Sequence, residues 1–189
     1  MNHALQMPRR IAPSSALMGM ALWLFTEVMF FAALISAFFV ARSSAIAWPP
    51  LGQPRLPILF TGLNTLILLA SGWAMWSAVF DNTSGKNVAR DRRRYLWALA
   101  LGFVFLSIQG FEWIRLLGFG LSLTSGSYGG FFYLIIGAHA LHAVAGLTAM
   151  GICLPSVNRS NGAAAQTVAL YWLFIVTLWP ILYGLVYLL

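Results

Sequence analysis

Residues 17–40 read LMGMALWLFTEVMFFAALISAFFV, an apolar run with a single carboxylate, Glu27, near its middle. About 20 apolar residues in a helix cross the hydrocarbon core of a bilayer, so this run is long enough to span it. A carboxylate at that depth is costly and normally faces a protein partner or a water pocket. We therefore expect another helix to bring Glu27 a polar partner.

The composition is that of an integral membrane protein. The 189 residues are 60% hydrophobic and only 8% charged, whereas charged residues make up about a quarter of a soluble domain. The formal net charge of +7 comes from 11 Lys and Arg against 4 acids. Because this excess is gathered in a few connecting segments, it indicates anionic lipid and membrane orientation and not nucleic acid.

Hydropathy predicts five membrane-spanning helices in a single membrane domain that covers residues 1–189. Strands are not expected, since an open strand leaves backbone groups unpaired in lipid. The predicted spans of this all-α five-helix bundle are about 17–40, 57–80, 95–117, 128–154 and 167–189. The first run is longer than the apolar core of a signal peptide and no small-residue cleavage site follows it, so we expect it to be retained.

Basic residues are divided unevenly between the two predicted sides of the membrane. The N-terminus, the second connection and the fourth connection together carry most of the 11 Lys and Arg. The positive-inside rule therefore places the N-terminus inside and the C-terminus outside. Most of the excess is one basic patch in the second connection, which we interpret as a topology signal with lipid contact: Arg90, Arg92, Arg93 and Arg94.

Polar residues in the second and third spans are predicted to serve helix packing. Asn64 lies in a leucine-rich background, as do many polar residues that hold transmembrane helices together. Gln109, Glu112 and Arg115 recur at every third position and so share one helix face near the outer end. Glu112 and Arg115 are spaced to form an ion pair, which we expect.

The fourth span offers the partner for Glu27. His139 and His142 are three residues apart and lie on one helix face. Counted from the inner ends of their predicted spans at about 1.5 Å per residue, Glu27 lies about 15 Å deep and His142 about 18 Å deep. We predict a hydrogen bond from Glu27 to one of these histidines, with His142 preferred because the depths agree.

These buried groups suit proton exchange better than metal binding. Two histidines on one helix cannot straddle a haem, and a di-metal site in a helix bundle requires more carboxylates. We therefore expect no metal, no haem and no catalytic residue in this chain. Two interpretations of the Glu27–histidine pair stay open, a proton-exchanging node and a pair that only fixes helix packing.

Two other function classes remain as alternatives. An independent transporter would require substrate-binding polar groups and broken helices or inverted repeats, which the sequence does not display. A purely structural membrane adaptor would leave Glu27 inert.

Segments in all five spans resemble subunit III of the haem-copper oxidases, in the family's order. Residues 22–31, LWLFTEVMFF, are similar to the family's W-L-F-x-x-E-x-M-F-F segment. Further matches follow in the next three spans: Leu63-Asn64-Thr65, then Gln109 with Glu112-Trp113, then Gly137-x-His139-x-x-His142-x-x-x-Gly146.

The resemblance implies a subunit of a proton-translocating respiratory oxidase, in the short bacterial form that keeps five of the family's seven spans. Oxygen reduction would take place at haem and copper in the partner catalytic subunit I, in the bacterial inner membrane. Glu27 matches the family's buried glutamate, and His139 and His142 match its histidine pair. The implied roles are stabilising the partner, binding phospholipid, and helping to deliver protons or oxygen.

The fifth span departs from the family pattern. This chain has Leu173 and Val176 where the family typically has histidine and aspartate, although the aromatic frame of Tyr171, Trp172 and Trp179 is kept. The departure fits a divergent branch, and an accessory subunit of a nitric oxide reductase is therefore kept as an alternative.

Overall fold

The computed structural model describes residues 15–50, 56–81, 87–156 and 163–188. Within these residues the chain is helical and contains no strand. The helices are α1 (Ser15–Ser43), α2 (Ile58–Val79), α3 (Val88–Gly118), α4 (Ser127–Cys153) and α5 (Ala163–Tyr183), with a 3-10 turn at Leu154–Ser156 and a π-helical turn at Gly184–Leu188. In the described ranges, five helices are long and apolar enough to cross a membrane, which confirms the predicted all-α fold.

The third helix begins earlier than hydropathy predicts. The predicted span starts at residue 95, but α3 starts at Val88. Asn87 caps it, since its side chain accepts a hydrogen bond of 3.1 Å from the backbone N–H of Arg90. The basic patch therefore lies on the first turns of a helix and not in a loop, because arginine is a good helix former even where the sequence is too polar for the membrane core.

The fifth helix lies at the centre of the bundle. It contacts α1, α2 and α4, while α3 packs along α2 and against α4. In contrast, α1 is peripheral, and only Phe31 and Phe38 of this helix are fully buried. Glu27, the carboxylate in the middle of the first apolar run, is thus carried by the helix that is least buried in the bundle.

Two glycines, one in α3 and one in α4, leave room for the Trp172 ring of the central helix. A Cβ atom added at Gly102 would lie 2.6 Å from the Trp172 ring, and one added at Gly146 would lie 2.9 Å from it. Real Cβ atoms do not approach that closely, so both positions require glycine. Small residues commonly permit such approach between membrane helices. The indole of Trp172, fully buried, therefore packs between backbone segments of two neighbouring helices.

Candidate functional site

A pair formed by Glu27 of α1 and His142 of α4 joins the peripheral helix to the bundle. The Nε2 atom of His142 lies 2.9 Å from Oε2 of Glu27. The two side chains are 18% and 12% exposed, respectively, so protein encloses most of the pair. The predicted hydrogen bond between Glu27 and His142 is confirmed.

A second hydrogen bond fixes the tautomer of His142. Its Nδ1 atom lies 2.7 Å from the backbone carbonyl oxygen of Ala138. Because a carbonyl oxygen only accepts, Nδ1 must carry a proton. The bond to Glu27 then holds one further proton, either on Nε2 facing a carboxylate or on Oε2 facing a neutral ring. Both arrangements are neutral overall, so the proton can move along this bond without adding net charge to the membrane interior.

Aromatic rings shield the pair. Phe31 meets the His142 ring edge-on, with ring centroids 5.4 Å apart, and the Phe30 ring lies 6.2 Å from the same imidazole. Tyr171 of α5 donates a hydrogen bond of 3.4 Å to the backbone carbonyl of His142. An apolar wall strengthens the Glu27–His142 hydrogen bond, because it lowers the local dielectric constant.

The other predicted histidine does not join this pair. His139 is buried, and its ring stacks at a tilt on Trp179 with centroids 4.9 Å apart. Neither of its ring nitrogens has a hydrogen-bond partner in the part of the chain that the structure describes. Positions three apart on an α-helix diverge by about 60° around its axis. That divergence is enough for His142 to face α1 while His139 faces α5.

A separate buried polar cluster joins α2, α3 and the π-helical turn. Thr61 donates a hydrogen bond of 2.8 Å to the Glu112 carboxylate. Asn64 donates at 3.1 Å to a backbone carbonyl of α3, and Gln109 donates at 3.1 Å to the hydroxyl of Tyr187. Polar bonds between membrane helices of this kind hold the elements in register.

The predicted ion pair between Glu112 and Arg115 does not form. No ion pair joins them among the described residues. Glu112 is only 4% exposed and turns into the interface with α2, where Thr61 supplies a hydrogen bond. Arg115 is exposed on the outside of the bundle. The two positions are close along the helix, but only Glu112 faces the interface with α2. The packing of α2 on this helix therefore determines which of the two side chains points inward.

The basic patch divides into paired and unpaired arginines. Arg90 and Arg94 each pair with an aspartate, at 3.4 and 3.2 Å. Arg92 and Arg93 are exposed and form no ion pair with any acid in the described ranges.

Sequence reasoning missed the uncharged partners in these clusters. Thr61 and Tyr187 hold Glu112 and Gln109, and the indole N–H of Trp179 donates at 2.9 Å to Thr65. One signal was available in α2. Its buried polar positions recur at intervals of three and four residues, which marks a helix face that packs on protein and not on lipid.

The chemistry that these residues offer is hydrogen bonding and proton exchange. Within the described ranges, no three His, Cys, Asp or Glu side chains come together in a group that could hold a metal ion. The Glu27–His142 pair holds one proton in a shared hydrogen bond, and the α2–α3 cluster ties helices together.

Comparison with known proteins connects this chain to one family. A family model described as cytochrome c oxidase subunit III matches residues 11–189. A probable cytochrome c oxidase subunit 3 from Mycobacterium leprae (strain TN) is 34% identical over 191 residues, covering 98% of this chain and 91% of its own length. A protein of the same description from Nocardia farcinica (strain IFM 10152) is 34% identical over 192 residues, with the same coverage. The cytochrome c oxidase subunit 3 of Synechocystis sp. is 31% identical over 183 residues, covering 94% of this chain and 77% of its own length.

Proposed function

The chain belongs to the cytochrome c oxidase subunit III family, and from this premise we propose that it packs beside the haem-copper subunit I of a respiratory oxidase in a bacterial inner membrane. It is a non-catalytic, multi-pass membrane subunit of that complex. Haem and copper belong to the partner, where oxygen is reduced. The relatives do not favour a nitric oxide reductase accessory subunit, an independent transporter or an isolated adaptor.

The observation that carries the proposal is the Glu27–His142 hydrogen bond at the position that matches the family's buried glutamate. Glu27 lies on the peripheral helix α1, which packs one side on the bundle and exposes large apolar side chains such as Trp23 and Phe25 on the other. A partner subunit that covers this side would bring its own helices next to the pair.

The pair acts as a node that stores and returns one proton. The proton moves between Nε2 of His142 and Oε2 of Glu27 while Nδ1 keeps its own proton on the Ala138 carbonyl. If the shared proton were lost, two lone pairs would face each other and the hydrogen bond would break. Proton release is therefore coupled to loosening of the contact between α1 and α4. The other polar groups, including His139, serve packing.

Membrane orientation is the second element of the proposal. The positive-inside rule places the start of α1 and the basic patch on the inner side and the end of α5 on the outer side. The arginines at the inner end then lie at the level of phospholipid head groups. Phospholipid bound there would support the contact between this subunit and its neighbours.

Replacing Glu27 with glutamine tests the proposal in the purified oxidase complex. Glutamine keeps a hydrogen bond to His142 but cannot carry the exchangeable proton. We expect assembly and the initial turnover rate to persist, while the lifetime of the enzyme during continuous turnover falls several-fold and proton uptake slows. The measurement is oxygen consumption over time together with proton uptake in reconstituted vesicles.

The matched control is Glu112→Gln, which makes the same change in the other intramembrane acid. This variant should keep the wild-type turnover lifetime, because Glu112 serves the α2–α3 packing cluster. An unchanged lifetime and proton uptake in Glu27→Gln would assign the pair to packing alone.

A further inference from the structure

An apolar groove runs along the outside of the bundle between α3 and α4. Leu96, Leu99 and Phe103 line it from α3, and Leu147 and Gly151 line it from α4. Its volume is about 650 Å³, within the range of sites that bind small organic ligands. The Tyr95 hydroxyl donates at 3.0 Å to the Met150 backbone carbonyl, which ties the two helices together behind the groove.

The depth of the groove places it in one leaflet. The middle of α3 is near Phe103, and Leu96 lies about 10 Å from it at 1.5 Å per residue. Gly151 lies about 16 Å from the middle of α4 by the same measure. Since half of the hydrocarbon core is about 15 Å thick, the groove extends from the middle of the membrane to the inner head-group boundary.

Two arginines that form no ion pair with any described residue lie at the inner end of the groove. Arg92 and Arg93 precede Leu96 by four and three positions, so they lie on the same face of α3 one turn closer to the inner surface. Arg92 is about 16 Å from the middle of the helix, at head-group level. All four acids of the chain have other partners: Glu27 with His142, Asp81 with Arg94, Asp91 with Arg90, and Glu112 with Thr61. Among the described residues, none of these four side-chain carboxylates pairs with Arg92 or Arg93.

We propose that this groove binds one acyl chain of an anionic phospholipid whose phosphate is held by Arg92 and Arg93. The inference rests on the orientation given above, which places these arginines at the inner surface. A phosphate supplies the negative charge that the chain does not. An acyl chain matches the apolar lining, and Gly151 leaves room for it, because a Cβ there would meet nothing within 4 Å.

The occupant is a lipid and not a partner helix because of the charges at the inner end. A transmembrane helix that filled the groove would continue past Leu96 and press against two cations that have no acid opposite them. A lipid ends in a charged group at that depth. The apolar lining of the groove matches the acyl chain of a phospholipid, and the two arginines at its inner end lie where the charged head group of that lipid would be.

Native mass spectrometry of the purified full-length chain tests the site, with palmitoyl-oleoyl phosphatidylglycerol and the phosphatidylcholine of identical chains as the two probes. We expect one phosphatidylglycerol to bind more tightly than phosphatidylcholine. The double variant Arg92→Gln, Arg93→Gln should weaken phosphatidylglycerol binding about twenty-five-fold, at about fivefold for each arginine. Arg92→Lys with Arg93→Lys keeps the charges and should retain most of the binding.

Filling the groove provides a second and independent variant. Gly151→Leu projects a side chain into the space and should displace the lipid, while Gly19→Leu is its control. Gly19 is near the inner end of α1, and a Cβ there also meets nothing within 4 Å, so Gly19→Leu should bind lipid as the wild type does. Thermal denaturation confirms that each variant is folded.

The site would be overturned by equal affinity for the two lipids, by wild-type affinity in the double glutamine variant, or by equal loss in Gly19→Leu and Gly151→Leu. If Gly151→Leu kept its lipid but no longer copurified with the haem-containing subunit, a partner helix would occupy the groove and the lipid site would be wrong. If the oxidase complex assembled normally while the lipid did not bind, the proposed function would stand without this site. If the lipid bound but no oxidase copurified, the site would stand without the function.

Discussion

Replacing His142 with alanine is expected to destabilise the protein by about 3 kcal/mol, because the Glu27 carboxylate then lies in the membrane interior without a partner. The bond that is lost is 2.9 Å long and joins α1 to α4. It matters more than a typical surface pair because α1 has few other buried residues. Unfolding by denaturing detergent in mixed micelles measures this free energy.

Leu141→Ala is the control for His142→Ala, since Leu141 is the neighbouring position and is 69% exposed. It should change stability by less than about 0.5 kcal/mol. Adding Glu27→Gln to His142→Ala removes the unpartnered charge and should restore part of the loss, which a double-mutant cycle reports as coupling. If His142→Ala were as stable as Leu141→Ala, the pair would contribute nothing to the contact between the helices.

Replacing Trp172 with alanine is expected to destabilise the bundle by about 2 to 4 kcal/mol. The indole is fully buried, packs against Gly102 and Gly146, and donates a hydrogen bond of 3.0 Å to Ser71. In a bilayer the side chain is surrounded by apolar groups in the unfolded state as well, so transfer from water does not contribute to the free energy of unfolding. The cavity, the lost van der Waals contacts and the lost hydrogen bond remain.

The same unfolding assay compares Trp172→Ala with Trp73→Ala. Trp73 is 70% exposed and should tolerate alanine within about 1 kcal/mol. Similar losses in the two variants would show that the central position of Trp172 does not determine bundle stability.

The sequence was sufficient to predict the five helices and the main polar contact. Long apolar runs leave few structural alternatives in lipid, and Glu27 had few intramembrane groups that could satisfy it. Depth along the helix then selected His142. Both predictions depend on distance along a helix axis, which follows directly from residue number.

The one wrong contact, the predicted Glu112–Arg115 ion pair, concerns direction around the helix. Glu112 and Arg115 are neighbours along α3, yet Glu112 faces Thr61 and Arg115 faces outward. His139 and His142 likewise face different helices. These directions depend on which helix packs on which face, and residue spacing alone does not give that information.

One of the two positions where the fifth span departs from the family pattern, Val176, is a packing position in this fold. Val176 is buried, and a Cβ added at Gly72 would lie 2.6 Å from its Cγ1 atom. Leu173 is half-buried. The Val176 side chain therefore belongs to the interior of the bundle, where the α2–α5 contact is too close for any residue but glycine at position 72.

The central claim is that this chain is a cofactor-free subunit that packs on a haem-containing partner. Affinity purification of the chain from its own membranes in mild detergent, with a reduced-minus-oxidised spectrum of the product and haem detection after the subunits are separated, tests it most directly. We expect a haem-containing complex in which the haem stays with the partner polypeptide. Haem bound to this chain, or a chain that purifies alone from membranes with an active oxidase, would contradict it.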